Sequence, residues 1–451
     1  MYDWANSVFP LTITSAVFPI YWTSQTKAGV DILGFHFEDS SIVFTYCLSF
    51  AFLVVALINP ILGGIADSAG NKKSFMRAFV IIGSMSCLGM SFFDSDHTWI
   101  GVSTFILGTI GYAGSIVFYN AYLPEIATED RFDKLSAKGF SMGYIGGVIL
   151  LVANLLFIIK PDLLYDVSGK VQELLTANPA LTEEEALKKA KGFYAGSASS
   201  LAFICVGVWW MGFSLIPFYY LPGRTGTSAR ISFSKGYREL RQVFMQIRQS
   251  GLIRKFLGGF FFYSMGVQTV MYVATLFADV ELKMPTQNLI ITVLLIQLIA
   301  IPGAYLFAKL SRIIGNIYAL LILNMVWVVI CIAAYYITSI NAFYLLASVV
   351  GFVMGGIQSL SRSTYAKMIP GDTMDHASYF SFYEFSEKIA IVIGTFVFGF
   401  TKYLMVLVID MAGMEKEIQP NLRYSVLSLM VFFIIGSLLL ARIRNDKTID
   451  N

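Results

Sequence analysis

GFVMGGIQSLSRSTYAKMIP (351–370), GDTMDHAS (371–378) and YFSFYEFSEKIAIVIGTFVFGF (379–400) decide how this chain is read. They form two apolar runs of membrane-spanning length joined by a short polar loop. The second run carries Glu384, Glu387 and Lys388 where hydrocarbon is expected. A helix starting near Ala377 puts Lys388 about 16 Å along its axis at ~1.5 Å per residue. That is mid-way through an apolar slab of about 30 Å. A charge at that depth costs about 2.5–3.5 kcal/mol on insertion scales. Glu384 and Lys388 stand four apart with the acid first, the better order for a helical ion pair. Glu387 lies within about 100° of that line, and Ser381 and Thr395 extend the polar stripe. Such a stripe should face a watery cavity or a partner helix, because lipid offers its polar groups no partner. It marks either a solute or proton pathway or a structural ion pair.

The rest of the chain supports a membrane setting. Of 451 residues 56% are hydrophobic and 14% are charged, against roughly a quarter charged in soluble domains. Twelve apolar spans are expected, at about 4–23, 41–66, 75–93, 99–119, 139–159, 197–220, 256–278, 288–309, 317–338, 342–362, 377–401 and 423–442. With the N-terminus inside, the inner segments hold 21 of the 32 lysines and arginines and the outer segments hold 9. That bias puts both termini in the cytoplasm of a multi-pass protein in the cell membrane, the inner membrane in a Gram-negative cell. The net charge of +3 is spread over short loops and gives no footprint for nucleic acid. Cys47, Cys87, Cys205 and Cys331 lie in apolar runs without metal-ligand spacing and read as small core residues. His36, His97 and His376 form neither a metal cluster nor a triad, and no phosphate-cradling loop precedes a Lys-Ser/Thr pair. No enzyme chemistry, cofactor or metal is therefore expected, and energy for any transport would come from gradients.

Two halves echo each other. Phe140-Ser141 opens the fifth span as Phe380-Ser381 opens the eleventh. The glycines 108, 111 and 114 precede Asn120-Ala-Tyr, as glycines 351, 355 and 356 precede Ser363-Thr-Tyr. Small residues allow helices to approach closely, and parallel repeats suit a transporter that rocks about a central site. The expected division is a six-helix half over 1–220, a cytoplasmic linker over 221–255 and a second six-helix half over 256–451. The linker holds a basic amphipathic run from Ser234 to Arg254, expected on the inner membrane surface. In the outer segment 161–196, Thr182-x-x-Glu185 reads as a capping box. The charges are not repeated: Tyr144 and Val148 stand where Glu384 and Lys388 stand.

The loop GGIADSAGNKKS (Gly63–Ser74) has its own physical logic. Gly63 and Gly64 permit helix contact. Asp67 can accept from the free N–H groups of a helix start. Lys72 and Lys73 fix the topology. The corresponding loop AKLSRIIGNIY (308–318) lacks the acid, so where the first loop resembles a superfamily's latch between halves, a latch on one side only is expected. In span 10, Gln358 is placed to contact substrate or bridge helices, while Arg362 lies near the inner end.

Tyr2 to Ser7 (YDWANS), Gly355 to Ser363 (GGIQSLSRS), Phe380-x-x-Tyr383 and Lys388 together resemble the signatures of the vacuole-effluxer-like branch of the major facilitator superfamily. The motifs stand nearly the whole chain apart and in order. The Gly63–Ser74 loop resembles the superfamily's gating loop. The resemblance implies an all-α polytopic fold of twelve helices in two pseudo-repeated bundles, and export of amino acids or another small solute by alternating access. It also implies further residues ahead of Tyr2, which would carry Asp3 and Asn6 into the lower half of span 1. Glu387 departs from it: a small residue is expected just before the lysine. The pathway set is then Glu384, Lys388, Glu387, Ser381, Gln358, Asp3 and Asn6, and the gating set is Gly63, Asp67, Gly70, Lys72 and Lys73. The expected partners are a small-molecule substrate, the lipid bilayer and a coupled proton, with a monomer as the working unit. A non-transporting membrane receptor or scaffold on the same fold is the alternative; it predicts no polar stripe.

Overall fold

A computed structural model describes residues 1–27, 29–32, 35–38, 40–223, 233–411 and 422–443. Arg224, Arg230, Lys416, Arg444 and Lys447 of the charge count, and the first part of the linker, lie outside the described residues. The chain opens with α1 (Tyr2–Asn6), a π-helical segment (Phe9–Ala16) and α2 (Val17–Gln25). A short antiparallel hairpin follows, β1 (Val30–Ile32) and β2 (Phe35–Phe37), with Val30 opposite Phe37. Then come α3 (Ser40–Ser68), α4 (Lys72–Met90), α5 (Thr98–Asn120), α6 (Leu123–Ile126), α7 (Phe132–Ile159), α8 (Val167–Ala177) and α9 (Glu183–Tyr220). The remainder is α10 (Phe233–Gln249), α11 (Gly251–Leu282), α12 (Thr286–Ile314), α13 (Asn316–Tyr336), α14 (Ile340–Met368), α15 (His376–Met411), α16 (Leu422–Ser428) and α17 (Met430–Ala441).

The architecture is a mostly helical, polytopic membrane protein; the small hairpin is the one departure from an all-α reading among the described residues. Nine helical stretches among these residues are long and apolar enough to cross a membrane. The other three expected spans also fall on helix. Span 1 is divided among α1, the π segment and α2; span 3 is α4, which opens on Lys72, Lys73 and Arg77; span 11 is α15, with its three ionisable residues. The Thr182–Glu185 capping box forms, with Glu185 N–H donating to Thr182 Oγ1 (3.3 Å) and Thr182 N–H to Glu185 Oε2 (3.0 Å). The helix it opens runs on into the sixth span as the single 38-residue α9.

The contacts group into two compact units. One comprises Met1–Ala51, Arg77–Ala113 and Ile145–Tyr220. Its core is aromatic: Phe18 stacks on Phe105 (5.1 Å) and meets Phe93 and Phe203 edge-on or tilted, with Trp22 stacked on Phe93. Trp4 stacks on Trp209 (5.4 Å), whose Nε1 donates to the Trp4 carbonyl (3.1 Å).

The other unit comprises Phe52–Met76, Gly114–Tyr144 and Leu221–Asn451. It joins parts of α3, α5 and α7 to later helices. Its tightest crossing is α12 on α14: a Cβ at Gly351 or Gly355 would strike the carbonyls of Ile296 and Ala300. This is the close approach that the small-residue run in span 10 permits. It fixes the axis of α14 and therefore the place of Gln358, Ser359 and Arg362.

Candidate functional site

The later unit holds a chain of buried polar contacts. On α15, Lys388 Nζ donates to Glu384 Oε2 (2.9 Å) and Glu387 Oε2 (2.6 Å). The side chains of Lys388 and Glu384 are only 6% and 3% exposed, so lipid does not reach them; Glu387 is 19% exposed. The remaining carboxylate oxygens are also occupied. Asn120 Nδ2 on α5 donates to Glu384 Oε1 (2.8 Å), and Gln268 Nε2 on α11 donates to Glu387 Oε1 (2.8 Å). Lys388 lies 5.8 Å from the centre of the Phe52 ring on α3, within reach of a cation–π attraction. The triad sets two carboxyl groups against one lysine amine.

Asn120 carries the chain further, because its Oδ1 accepts from Arg362 Nη1 (3.3 Å). Arg362 does not snorkel to the inner surface. It is buried, donates from Nε to Ser136 Oγ and from Nη2 to Ser136 O (both 2.9 Å), and lies over the Phe140 ring at 4.3 Å. Ser136 Oγ in turn donates to the Ser359 carbonyl (2.7 Å). Gln358 Oε1 accepts from Tyr144 Oη (2.7 Å). Tyr144, which stands at the repeat position of Glu384, thus holds an amide on α14 instead of a charge.

The Gly63–Ser74 loop meets the start of α15. Gly70 has φ +58° and closes α3 with two bonds, Asn71 N–H to Ala66 O and Gly70 N–H to Asp67 O (both 3.0 Å). That is a Schellman ending, which needs the left-handed backbone that glycine adopts without strain. It turns the chain so that Lys72 faces back to Asp67 (3.3 Å) and also pairs with Glu125. Asp67 accepts from Ala377 N–H (3.2 Å), Ser378 N–H (2.7 Å) and Ser378 Oγ (2.7 Å), which are free donors at the start of α15. Lys73 donates to the Leu221 carbonyl (2.8 Å). Gly63 packs on Ala377 and Ser381.

The corresponding loop, 308–318, also makes a buried polar contact. Asp133, at the start of α7, pairs with Lys367 of α14 (2.7 Å) and accepts from Asn316 Nδ2 of α13 (2.8 Å). The AKLSRIIGNIY loop lacks an acid, and its Asn316 donates to one supplied from across the contact.

Of the pathway residues expected from sequence, Glu384, Glu387 and Lys388 come together. Gln358 meets Tyr144 on a contact of its own. Ser381 does not join the triad: its hydroxyl bonds back to the Ser378 carbonyl (2.6 Å) within α15. Asp3 and Asn6 are buried on α1 in the earlier unit, where Asn6 Oδ1 accepts from Ser7 Oγ (3.4 Å). Sequence reasoning missed Asn120, Ser136 and Asp133 as polar partners. The Asn120-Ala-Tyr echo of Ser363-Thr-Tyr was the one signal that pointed near them.

A family model described as vacuole effluxer Atg22 like matches residues 1–451. The chain belongs to that family. It is 28% identical over 459 residues to an uncharacterized MFS-type transporter, YxiO, of Bacillus subtilis (strain 168), covering 100% of this chain and 95% of the relative. It is 25% identical over 443 residues to autophagy-related protein 22 of Yarrowia lipolytica, covering 83% and 73%. Among solved structures it resembles the human organic anion transporter MFSD10 (TM-score 0.64, 13% identity, 97% and 98% covered). It also resembles the major facilitator transporter FucP in the outward conformation (TM-score 0.61, 12% identity, 98% of each). These likenesses show the major facilitator fold, in keeping with the resemblance carried by the sequence motifs.

Proposed function

We propose that this protein is a secondary active transporter that moves a small solute across the cell membrane by alternating access. Amino acids are the first class to test and export is the proposed direction. Both termini would lie in the cytoplasm, residues 1–220 and 256–451 would form the moving halves, and the monomer would be the working unit. The observation that carries this reading is the buried Glu384–Lys388–Glu387 triad with every carboxylate oxygen engaged. Intramembrane charges are costly and are kept where a pathway needs them. The second carboxyl group suits a coupled proton or a cationic group of the solute.

The contacts of residues 114–144 with α14 and α15 support the cycle. Asn120–Glu384, Ser136–Arg362 and Asp133–Lys367 would have to part when the inner side opens. Asp67 on the start of α15 would part with them.

Purified protein screened by thermal shift against amino acids, sugars, peptides and nucleosides should single out a ligand class, because a ligand that binds only the folded state raises its stability. Proteoliposomes loaded with that ligand should then release it under an imposed pH gradient. Lys388→Ala should abolish release while still inserting in the membrane; wild-type release by that variant would overturn the assignment.

A further inference from the structure

Helix α10 is held against the inner ends of α3 and α15. Gly236 meets Gly64 backbone to backbone: a Cβ on Gly64 would strike the Gly236 carbonyl, and one on Gly236 would lie 2.7 Å from the Ile65 nitrogen. Val243 and Ile247 continue the same buried face. Further along, Tyr379 Oη of α15 donates to Gln246 Oε1 (2.8 Å), and the Phe244 and Phe382 rings lie 5.9 Å apart.

Glu239 sits on this face with Oε2 shielded from water and without a hydrogen-bond partner among the described residues. The charged groups around it are Asp67 from α3, Asp375 from the segment before α15, and Arg238 and Lys235 from its own helix. Lys72 of α4 acts on Asp375 and on His376, whose buried Nδ1 is likewise without a partner. With no donor to Oε2, burial and the two neighbouring carboxyls favour the protonated form of Glu239, against Arg238 and Lys235. Burial first, then Asp375 and Asp67, push Glu239 up to about 7.

We propose that α10 is a proton-sensitive latch, docking on α3 and α15 with Glu239 protonated and letting go of both when that proton is lost. This goes beyond the transport reading and does not rest on it, since docking is measured without a substrate. Free in water Glu239 would titrate near about 4.3. Docking therefore takes up a proton. It should be tightest at low pH, weaken by up to about tenfold per unit between pH ~4.3 and ~7, and level off above. His376 works the other way: burial and then Lys72 hold it down to about 4. If release also exposes that ring, acid would favour release below about pH 6.5. A His376→Gln background removes this opposing trend.

The test is a pair of spin labels at Gln242→Cys on α10 and Glu129→Cys after α6, in full-length protein with the four native cysteines replaced by Ala, reconstituted in nanodiscs. In the His376→Gln background, the docked distance should give way to longer ones as pH rises from 5 to 7, with little change from 7 to 8. Adding Glu239→Gln should keep the docked distance throughout. Gly236→Leu should release α10 at every pH while the protein stays monodisperse. A pH response that Glu239→Gln leaves intact, no response in either protein, or a docked distance kept by Gly236→Leu would each overturn the proposal.

Discussion

The ion triad and the inner clamps both bury charge, but they distribute it differently. Glu384, Glu387 and Lys388 all stand on α15, so no sliding of one helix past another can separate them. Each clamp is shared between helices: Asp67 of α3 holds the start of α15, and Asp133 of α7 holds Asn316 of α13 and Lys367 of α14. The difference teaches a division of labour. In the proposed cycle, a charge set on one helix would persist and could meet a ligand in any state. A set divided between helices would be what opening has to break. Asn120 links the triad to Arg362 instead, because one amide touches both Glu384 and Arg362.

That contrast can be broken experimentally. Lys388→Ala should have the largest effect, leaving two buried carboxylates without a counter-charge. Breaking a buried pair in this way costs about 3–5 kcal/mol, read as a lowered midpoint of thermal unfolding in detergent, and transport should vanish with it. Adding Glu384→Gln should recover stability without recovering transport.

Asp67→Asn and Asn120→Ala should come next, each removing hydrogen bonds to a charged group worth about 1.5–3 kcal/mol. Their signature should be conformational. In a cysteine-free background, Ser359→Cys, buried in the wild type, should react several-fold faster with a maleimide applied from the inner side. Equal labelling with and without the clamp substitutions would mean that the clamps do not hold the inner side closed.

Tyr144→Phe should be the mildest, removing one neutral hydrogen bond to Gln358 worth about 0.5–1.5 kcal/mol. A loss of transport as large as that of Lys388→Ala would place Tyr144 on the solute path and dissolve the distinction drawn above.

How far the sequence led depends on the physics involved. Span-length apolar runs and small-residue crossings follow from local composition, and they pointed to the fold. The Glu384–Lys388 pair was legible because both residues lie on one helix, where spacing sets geometry. Asp67 on a helix start was legible because any helix start has free N–H groups. Asn120, Ser136 and Asp133 were not, because their partners stand 183 or more residues away in sequence and only tertiary packing brings them together. Arg362 near an inner helix end read as a residue that could reach water. Burial under Phe140 and Tyr119 reverses that. Ser381 shares the stripe's periodicity, yet its hydroxyl is satisfied by its own helix, a competition that periodicity does not reveal.

The most direct measurement is transport by a protein whose triad is neutral but filled. Replacing Glu384 and Glu387 by Gln and Lys388 by Met keeps volume and removes charge, a change that buried ion pairs often tolerate without loss of stability. In proteoliposomes loaded with the ligand found by thermal shift, this variant should insert and melt like the wild type yet release nothing under a pH gradient. Release at the wild-type rate would contradict the account, leaving the three charges as packing alone.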